Sequence, residues 1–450
     1  MLYNYYMENG RLDLQLKSMH VENFKYFEKI DVKFNNQLSV IVGENGSGKS
    51  SILEAAKIIL GTFFSKINGI SAPSFDKRDV RLKSYEMGES DVVQEQYPVK
   101  VSANVEIKTY KAPIPVARVL SSSKTKTTIN TAKYLVEYGH SAQLALQEGD
   151  ESLILPIIAY YGTGRLWNYH KSKINPEKIT QTKRIDGYKG CLEGSANFQQ
   201  MMLWLFKKAI QDFQKQNSQE DVVTLKTVLG AIAKCYQNIS GYDNAHIQFN
   251  FDSMSLEVAY KEENGQHVRL PFDLLSDGYR CTISLIADIA YRMAALNPQL
   301  KESVLIETPG VVLIDEVDLH LHPAWQKRVL KDLTTIFPKV QFIVTTHAAS
   351  VINSVKKENL IILKNCQAIY MDSEVYGKDV KSVMDEIMGV SDRPDDVKSL
   401  FEKFDKALND ADFKTAEMFL DQISTIRGGH DPELAKCQTK LRLEQMRKRG

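Results

Sequence analysis

The sequence predicts an α/β fold, and three stretches carry that prediction. Leu38–Val42 is a short apolar run that enters a glycine-rich turn, after which Ile52, Ala55, Ala56 and Ile59 recur at helical spacing. Val311-Val312-Leu313-Ile314 is an apolar run that ends in Asp315-Glu316. Gln341–Thr346 is a further β-prone run, closed by His347. Apolar runs without alternation suit strands buried on both faces of a sheet.

The elements follow in chain order. Leu14–Val21, Phe27–Phe34 and Leu38–Val42 read as strands, and Ser50–Leu60 as a helix. After a polar, irregular stretch, Val99–Ile107 alternates as a strand does, while Ser121–Thr128 has nothing to bury and reads as a mobile surface loop. Ile154–Tyr161 reads as a buried strand ending at Tyr161-Gly162-Thr163-Gly164-Arg165. The loop behind it carries Lys171, Lys173, Lys178, Lys183, Arg184 and Lys189 against Glu177 and Asp186, which suits either a solvated face or DNA contact. Two amphipathic helices come next, one lined by Phe198, Met202, Leu205 and Ala209, the other by Leu225, Val228, Leu229, Ile232 and Ile239. A hairpin spans His246–Phe272 with its turn at Asn264-Gly265, and strands return at Val311–Ile314, Gln341–Thr345 and Leu360–Leu363. From Val380 the pattern is helical hairpins, with Pro394 and Pro432 at first-turn positions beside acidic residues. Phe401, Phe404, Ala407 and Leu408 space as one apolar face there, and Ala416, Phe419, Leu420 and Ile423 as another; they pack on each other or on the core of the preceding α/β domain, or dock a partner. The closing segment Lys436–Arg449 carries six basic residues against one acidic, Glu444, which suits an acidic partner or nucleic acid. Without sustained heptads, long coiled-coil arms are not expected.

Composition bounds the function. The 450 residues carry 57 Lys+Arg and 56 Asp+Glu, so a net charge of +1 excludes a polybasic, histone-like protein. Hydrophobic residues at 43% are enough for folded cores rather than a disordered chain. Polar residues fill Met1–Leu14 where a signal peptide needs an apolar run, and no apolar run reaches membrane-spanning length, so a cytoplasmic protein is expected. Five scattered cysteines, none in a CxxC pair, fit neither a disulfide framework nor a zinc site.

Gly43-Glu44-Asn45-Gly46-Ser47-Gly48-Lys49-Ser50, with Ser51 beside it, matches GxxxxGK[ST] in the required strand-to-helix context. Glycines there let backbone N–H groups converge on phosphate oxygens, and the helix N-terminus adds to the attraction. Lys49 then neutralises the β- and γ-phosphates of ATP, and the Ser50 hydroxyl sits on Mg²⁺. Asp315 supports the same metal, and Glu316 orients and deprotonates the attacking water. His347 ends the next strand, where it can sense the γ-phosphate. Ser276-Asp277-Gly278 opens a helix a short distance before the acidic strand, which alone is ordinary capping chemistry.

Taken in order, these four elements resemble a P-loop NTPase with the ABC-type ATPase head of the SMC and recombination-repair branch. The resemblance makes Gly43–Ser50 the Walker A, Ser276-Asp277-Gly278 the signature, Asp315-Glu316 the Walker B and His347 the switch histidine. It implies two heads facing each other across two ATP molecules, with Ser276 and the Gly278 N–H reaching the nucleotide of the other copy. Val21–Phe27 resembles the first-strand turn of such heads, near the nucleotide. Asp277 departs from the pattern by standing where a glycine or serine is usual, so it either slows hydrolysis or anchors the loop. The glutamine loop has no clear counterpart; Tyr160–Arg165 stands in its place, with Arg165 open to phosphate or partner. The domains expected are a head over 1–376, with a helical insertion lobe at 166–270, and a C-terminal helical interaction region at 377–450.

Over most of its length the chain is similar to stand-alone bacterial ATPases of phage defence, above all the Septu ATPase subunit and retron-associated relatives. The shared stretches are Leu155–Trp167, Arg184–Leu192, Leu274–Arg280, Leu313–Pro323 and Ser391–Asp396. That resemblance implies a homodimer or higher homo-oligomer whose nucleotide state controls a separate HNH-type nuclease. Two other functions stay open: a DNA-repair or recombination ATPase acting on DNA ends, and a scaffold that binds ATP and scarcely hydrolyses it.

Overall fold

The computed structural model describes residues 13–87, 90–107, 112–166, 183–195, 198–215, 223–253, 255–389, 393–427 and 432–449. They divide into two units, one running to Gly377 and the other starting at Lys378.

The first unit opens with β1 (Leu14–Phe24), β2 (Phe27–Lys33), β3 (Leu38–Gly43) and α1 (Lys49–Leu60). An exposed pair of strands follows, β4 (Leu82–Met87) and β5 (Ser90–Glu95), then β6 (Val99–Ile107), β7 (Ile114–Leu120), α2 (Lys133–Gln147) and β8 (Ile157–Tyr161). Next come α3 (Phe198–Lys215), α4 (Val223–Ser240), β9 (His246–Asn250), β10 (Ser255–Lys261), β11 (His267–Pro271) and α5 (Asp277–Leu296). The unit closes through β12 (Gly310–Ile314), α6 (Val329–Ile336), β13 (Val340–Thr345), β14 (Leu360–Lys364) and β15 (Gln367–Ile369).

Among the described residues, six strands form the central sheet in the order β15-β14-β3-β13-β12-β8, all parallel except β15. A second, antiparallel sheet has the order β2-β1-β6-β7. Helix α1 lies between the two: Ile52, Ala56 and Ile59 share one core with Val21 and Val101 of the antiparallel sheet and with Ile41, Val311 and Ile343 of the central one. Full burial of each isoleucine or valine there contributes about 1.5–3 kcal/mol, which anchors the helix that follows the phosphate-binding turn. A polar clasp joins the same two sheets. The buried Gln341 amide on β13 donates to Leu16 O and Asn35 O and accepts from Leu16 N, each at 2.8 Å.

Several elements differ from expectation. The strand expected from Ile154 begins only at Ile157, because Pro156 has no N–H for a ladder and Leu155 N donates to the Asn297 side chain at 2.8 Å. The expected hairpin at His246–Phe272 is a three-stranded meander. Asn250 makes the extra turn, its Oδ1 accepting from Asp252 N at 2.8 Å and Ser253 N at 3.2 Å. The Ser121–Thr128 loop is tied at its end: Thr128 Oγ1 accepts from Val119 N, and Thr127 Oγ1 from Phe75 N, each at 3.2 Å. In the basic loop, Lys171, Lys173, Glu177 and Lys178 lie outside the described residues. Arg184 is not available to DNA, since its Nε donates to Leu296 O at 2.7 Å and its Nη1 to Asp150 O at 3.2 Å. Lys189 pairs with Asp186 at 2.7 Å.

The second unit contains α7 (Asp395–Asn409), α8 (Phe413–Arg427) and α9 (Pro432–Arg449). Pro394 stands immediately before α7 rather than in its first turn. Of the readings left open for the two apolar faces, packing on each other is the one found: Phe404, Ala407 and Leu408 share a buried cluster with Ala416, Leu420 and Ile423, closed by Leu434 and Leu441 of α9. They form this unit's core and are not free to dock.

Candidate functional site

Parallel strands end on one side of a sheet, and that geometry assembles the site. Gly43 closes β3, Asp315-Glu316 follow β12, and Thr346-His347 follow β13. The order β3-β13-β12 makes these three strands neighbours, so residues about 270 to 300 positions apart in the chain reach one edge.

The turn from β3 into α1 supplies the phosphate cradle. Gly48 precedes α1 at φ +93°, and a Cβ there would lie 2.3 Å from the Phe27 ring, so only glycine fits. The same contact places the Val21–Phe27 turn against this loop. No side chain caps α1 and no acidic residue occupies its first turn, which leaves the positive end of the helix for an anion. Glu44, Asn45, Gly46 and Ser50 are exposed, Ser47, Gly48 and Ser51 half-buried, and Lys49 buried. The Lys49 ammonium donates to Gly43 O at 2.9 Å and Glu44 O at 2.8 Å, with Ser47 Oγ at 3.5 Å. Burial lowers its pKa, while Asp315, Glu316 and Asp318 pull it back up. These carboxylates therefore share a field with the cradle.

The acidic pair is held by its backbone as well as by its side chains. Thr345 Oγ1 donates to Asp315 Oδ1 at 2.6 Å and accepts from Glu316 N at 2.7 Å. Glu316 has φ +46°, a left-handed conformation that costs a non-glycine residue roughly 1–2 kcal/mol. One residue further round, Thr346 Oγ1 donates to Asp318 Oδ1 at 2.5 Å and accepts from Ala348 N at 3.0 Å. Next to it, burial and the Lys49 charge push the His347 pKa below its ordinary 6.5, outweighing Glu316, Asp318 and Asp315. A neutral ring offers one donor and one acceptor nitrogen.

Ser276 is the N-cap of α5, without a side-chain cap bond. Asp277 pairs with Arg280 one turn along the helix, so its charge is offset within the segment. Gly278 packs against the loop behind the acidic pair; a Cβ there would meet His320 O at 2.7 Å and the Trp325 ring at 3.0 Å. The structure thus brings Gly43–Ser51, Asp315, Glu316 and His347 to one sheet edge, and seats Ser276–Gly278 on the loop leading away from it.

Two contributors were not foreseen in the roles they have. Thr345 is one, readable in the sequence only as the end of a buried strand. The other is Arg165, foreseen as a phosphate or partner contact, whose terminal nitrogens instead donate to Asp315 O and Glu316 O, each at 2.7 Å.

Two protein-family models match the chain: an AAA domain over residues 18–240, and an AAA domain described as a putative AbiEii toxin of a type IV toxin–antitoxin system over residues 136–353. The "Retron Ec83 probable ATPase" of Escherichia coli is 25% identical over 86% of this chain and 78% of its own length. The Septu protein PtuA of Bacillus thuringiensis is 25% identical over 84% of this chain and 85% of its own. The Smc head domain of Pyrococcus furiosus, solved with the C-terminal domain of ScpA, aligns with 80% of this chain and 97% of its own at 15% identity and a TM-score of 0.46. The chain carries a P-loop and is an ATPase.

Proposed function

We propose that this ATPase is the ATP-hydrolysing subunit of a cytoplasmic anti-phage defence complex. Two copies pair head to tail across two ATP molecules, and their nucleotide state controls a separate HNH-type nuclease. The observation that carries the reading is the meeting of Gly43–Ser51, Asp315-Glu316 and His347 at the ends of three adjacent parallel strands. Its defence context rests on the named retron and Septu relatives, each matching more than four-fifths of the chain.

In this reading the N–H groups of the cradle and the α1 terminus hold the ATP phosphates. Lys49 exchanges its Gly43 and Glu44 carbonyls for β- and γ-phosphate oxygens, so a charge already inside the cradle meets the triphosphate without a new desolvation cost. The residues present fit Mg²⁺. The donors offered are hard oxygens, the Ser50 hydroxyl and the Asp315 carboxylate, and this ion is ordinarily held by one or two carboxylates plus phosphates. Ser50 and Asp315 would hold it, and its charge would neutralise the phosphates. Glu316 takes the proton of the attacking water, and neutral His347 addresses the γ-phosphate by hydrogen bond. Ser276 and the Gly278 N–H close over the nucleotide of the other copy.

Light scattering with and without ATP and Mg²⁺ tests the pairing. Wild type should double in mass on adding ATP, whereas Ser276→Arg, which sets a bulky cation where a γ-phosphate belongs, should remain a monomer and still bind ATP. Equal ATP-dependent pairing in both would exclude the composite site.

A further inference from the structure

Arg165 stands on the short turn Thr163–Leu166 behind β8, and hydrolysis as described above leaves it without a task. It is 5% exposed. Nη1 donates to Asp315 O at 2.7 Å and to Gly162 O at 3.2 Å, and Nη2 donates to Glu316 O at 2.7 Å. Its Nε is buried without a hydrogen-bond partner among the described residues. A buried cation is therefore spent on the carbonyls of two consecutive acidic residues.

Those carbonyls lie where the ladder of the central sheet gives out. Asp315 N still donates to Tyr161 O at 2.8 Å, and Val317 N to Thr345 O at 2.9 Å. Glu316 between them turns left-handed, at φ +46°. Its N–H is fixed by Thr345 Oγ1 at 2.7 Å, and its C=O by Arg165 and by Leu319 N at 2.9 Å. The residue is clamped at both ends, and with the backbone held the carboxylate has only its own side-chain torsions left. The planar guanidinium fork suits two adjacent carbonyls, whereas a lysine ammonium is a single point of charge.

We propose that Arg165 is a positioning residue for ATP hydrolysis: its guanidinium holds the Asp315 and Glu316 carbonyls, and so keeps Glu316 in the left-handed backbone from which its carboxylate meets the attacking water. The proposal rests on the reading of Glu316 as the base.

The test uses the full chain with Arg165→Ala, Arg165→Lys, Glu316→Gln and the Arg165→Ala/Glu316→Gln double variant. It measures ATP affinity by a fluorescent analogue and hydrolysis under single-turnover conditions. Arg165→Ala should bind ATP within about threefold of wild type and hydrolyse it about 10–10²-fold more slowly, the scale of a misplaced reacting group. Arg165→Lys should recover part of the rate. Millimolar guanidinium should raise the rate of Arg165→Ala and leave the double variant unchanged, and the double variant should be no slower than Glu316→Gln. A wild-type rate in Arg165→Ala overturns the proposal. So does a loss of ATP affinity that matches the loss of rate, which would mark a phosphate contact, or a double variant slower than Glu316→Gln by the whole Arg165 factor. If Arg165→Ala does not fold, Arg165→Lys decides: native melting with a reduced rate supports the clamp, and native melting with the wild-type rate removes it. Full hydrolysis by Glu316→Gln removes the base reading itself, an outcome distinct from all of these.

Discussion

The C-terminal edge of the central sheet and the C-terminal helical unit were both marked in the sequence as places of function, and they are built in opposite ways. At the sheet edge, polar groups hold polar groups: Thr345 serves Asp315 and Glu316 at once, and Thr346 holds Asp318. In the helical unit, the residues that looked available are consumed: Phe404, Leu408, Leu420 and Ile423 bury one another. Its surface is stitched by ion pairs such as Lys440–Asp405 at 2.7 Å, which at half-exposed sites contribute little. The contrast teaches that carboxylates at a strand end need partners and therefore report a site, whereas an apolar helical face first needs a core and reports packing. Outside that core, Met418, Leu443 and Met446 remain exposed.

Four perturbations sharpen that contrast, taken from the largest effect downward. Glu316→Gln should lower single-turnover hydrolysis by roughly 10²–10⁴ while ATP affinity is retained, the scale for losing a general base. Unchanged turnover would deny the sheet edge its catalytic character. Phe404→Ala removes a fully buried ring from the helical unit and should cost about 3–5 kcal/mol of that unit's stability. Calorimetry should then show a low-temperature transition of its own, with ATP affinity intact; lost ATP binding would break the separation of the two units. Lys49→Ala should weaken ATP binding by roughly 10–10²-fold, the equivalent of about 1.5–3 kcal/mol for a charged hydrogen bond. Titration calorimetry that finds wild-type affinity would remove Lys49 from the cradle.

The smallest effect is a pH dependence. His347 has its folded pKa below 6.5, so the unfolded chain takes up this proton more readily. The neutral ring's stabilisation is present above pH 6.5 and is lost as pH falls through the lower, folded value. Denaturant titrations from pH 7.5 to 5 should therefore show wild type losing more stability than His347→Gln. Parallel curves would mean that His347 titrates as an ordinary surface histidine.

The parts of the molecule readable in the sequence are those whose chemistry is local. The cradle is one continuous segment, so the spacing of Gly43, Gly48, Lys49 and Ser50 already describes it. Val311–Ile314 followed by two carboxylates is likewise a complete statement of a buried strand with a charged end. Helix α2 gave no such signal, because its buried face is made partly of Gly139, Ala142 and Ala145. The β4–β5 pair was hidden for the opposite reason: Leu82 and Val93 are exposed, so no alternation toward a core marks it.

Alone, the sequence determined the site-bearing elements and the chemical groups: a phosphate-binding turn, an acidic pair and a strand-end histidine. Local spacing and hydrophobicity suffice for these, because they are set by neighbours in the chain. Only the tertiary structure decided which groups share one edge, since strand order β3-β13-β12 is a choice among long-range pairings that no local pattern encodes. It also decided that Arg165, which sequence left open to phosphate, turns inward. Buried carbonyls at Asp315 and Glu316 demand donors, and the 150 residues separating Arg165 from Asp315 vanish once β8 lies beside β12.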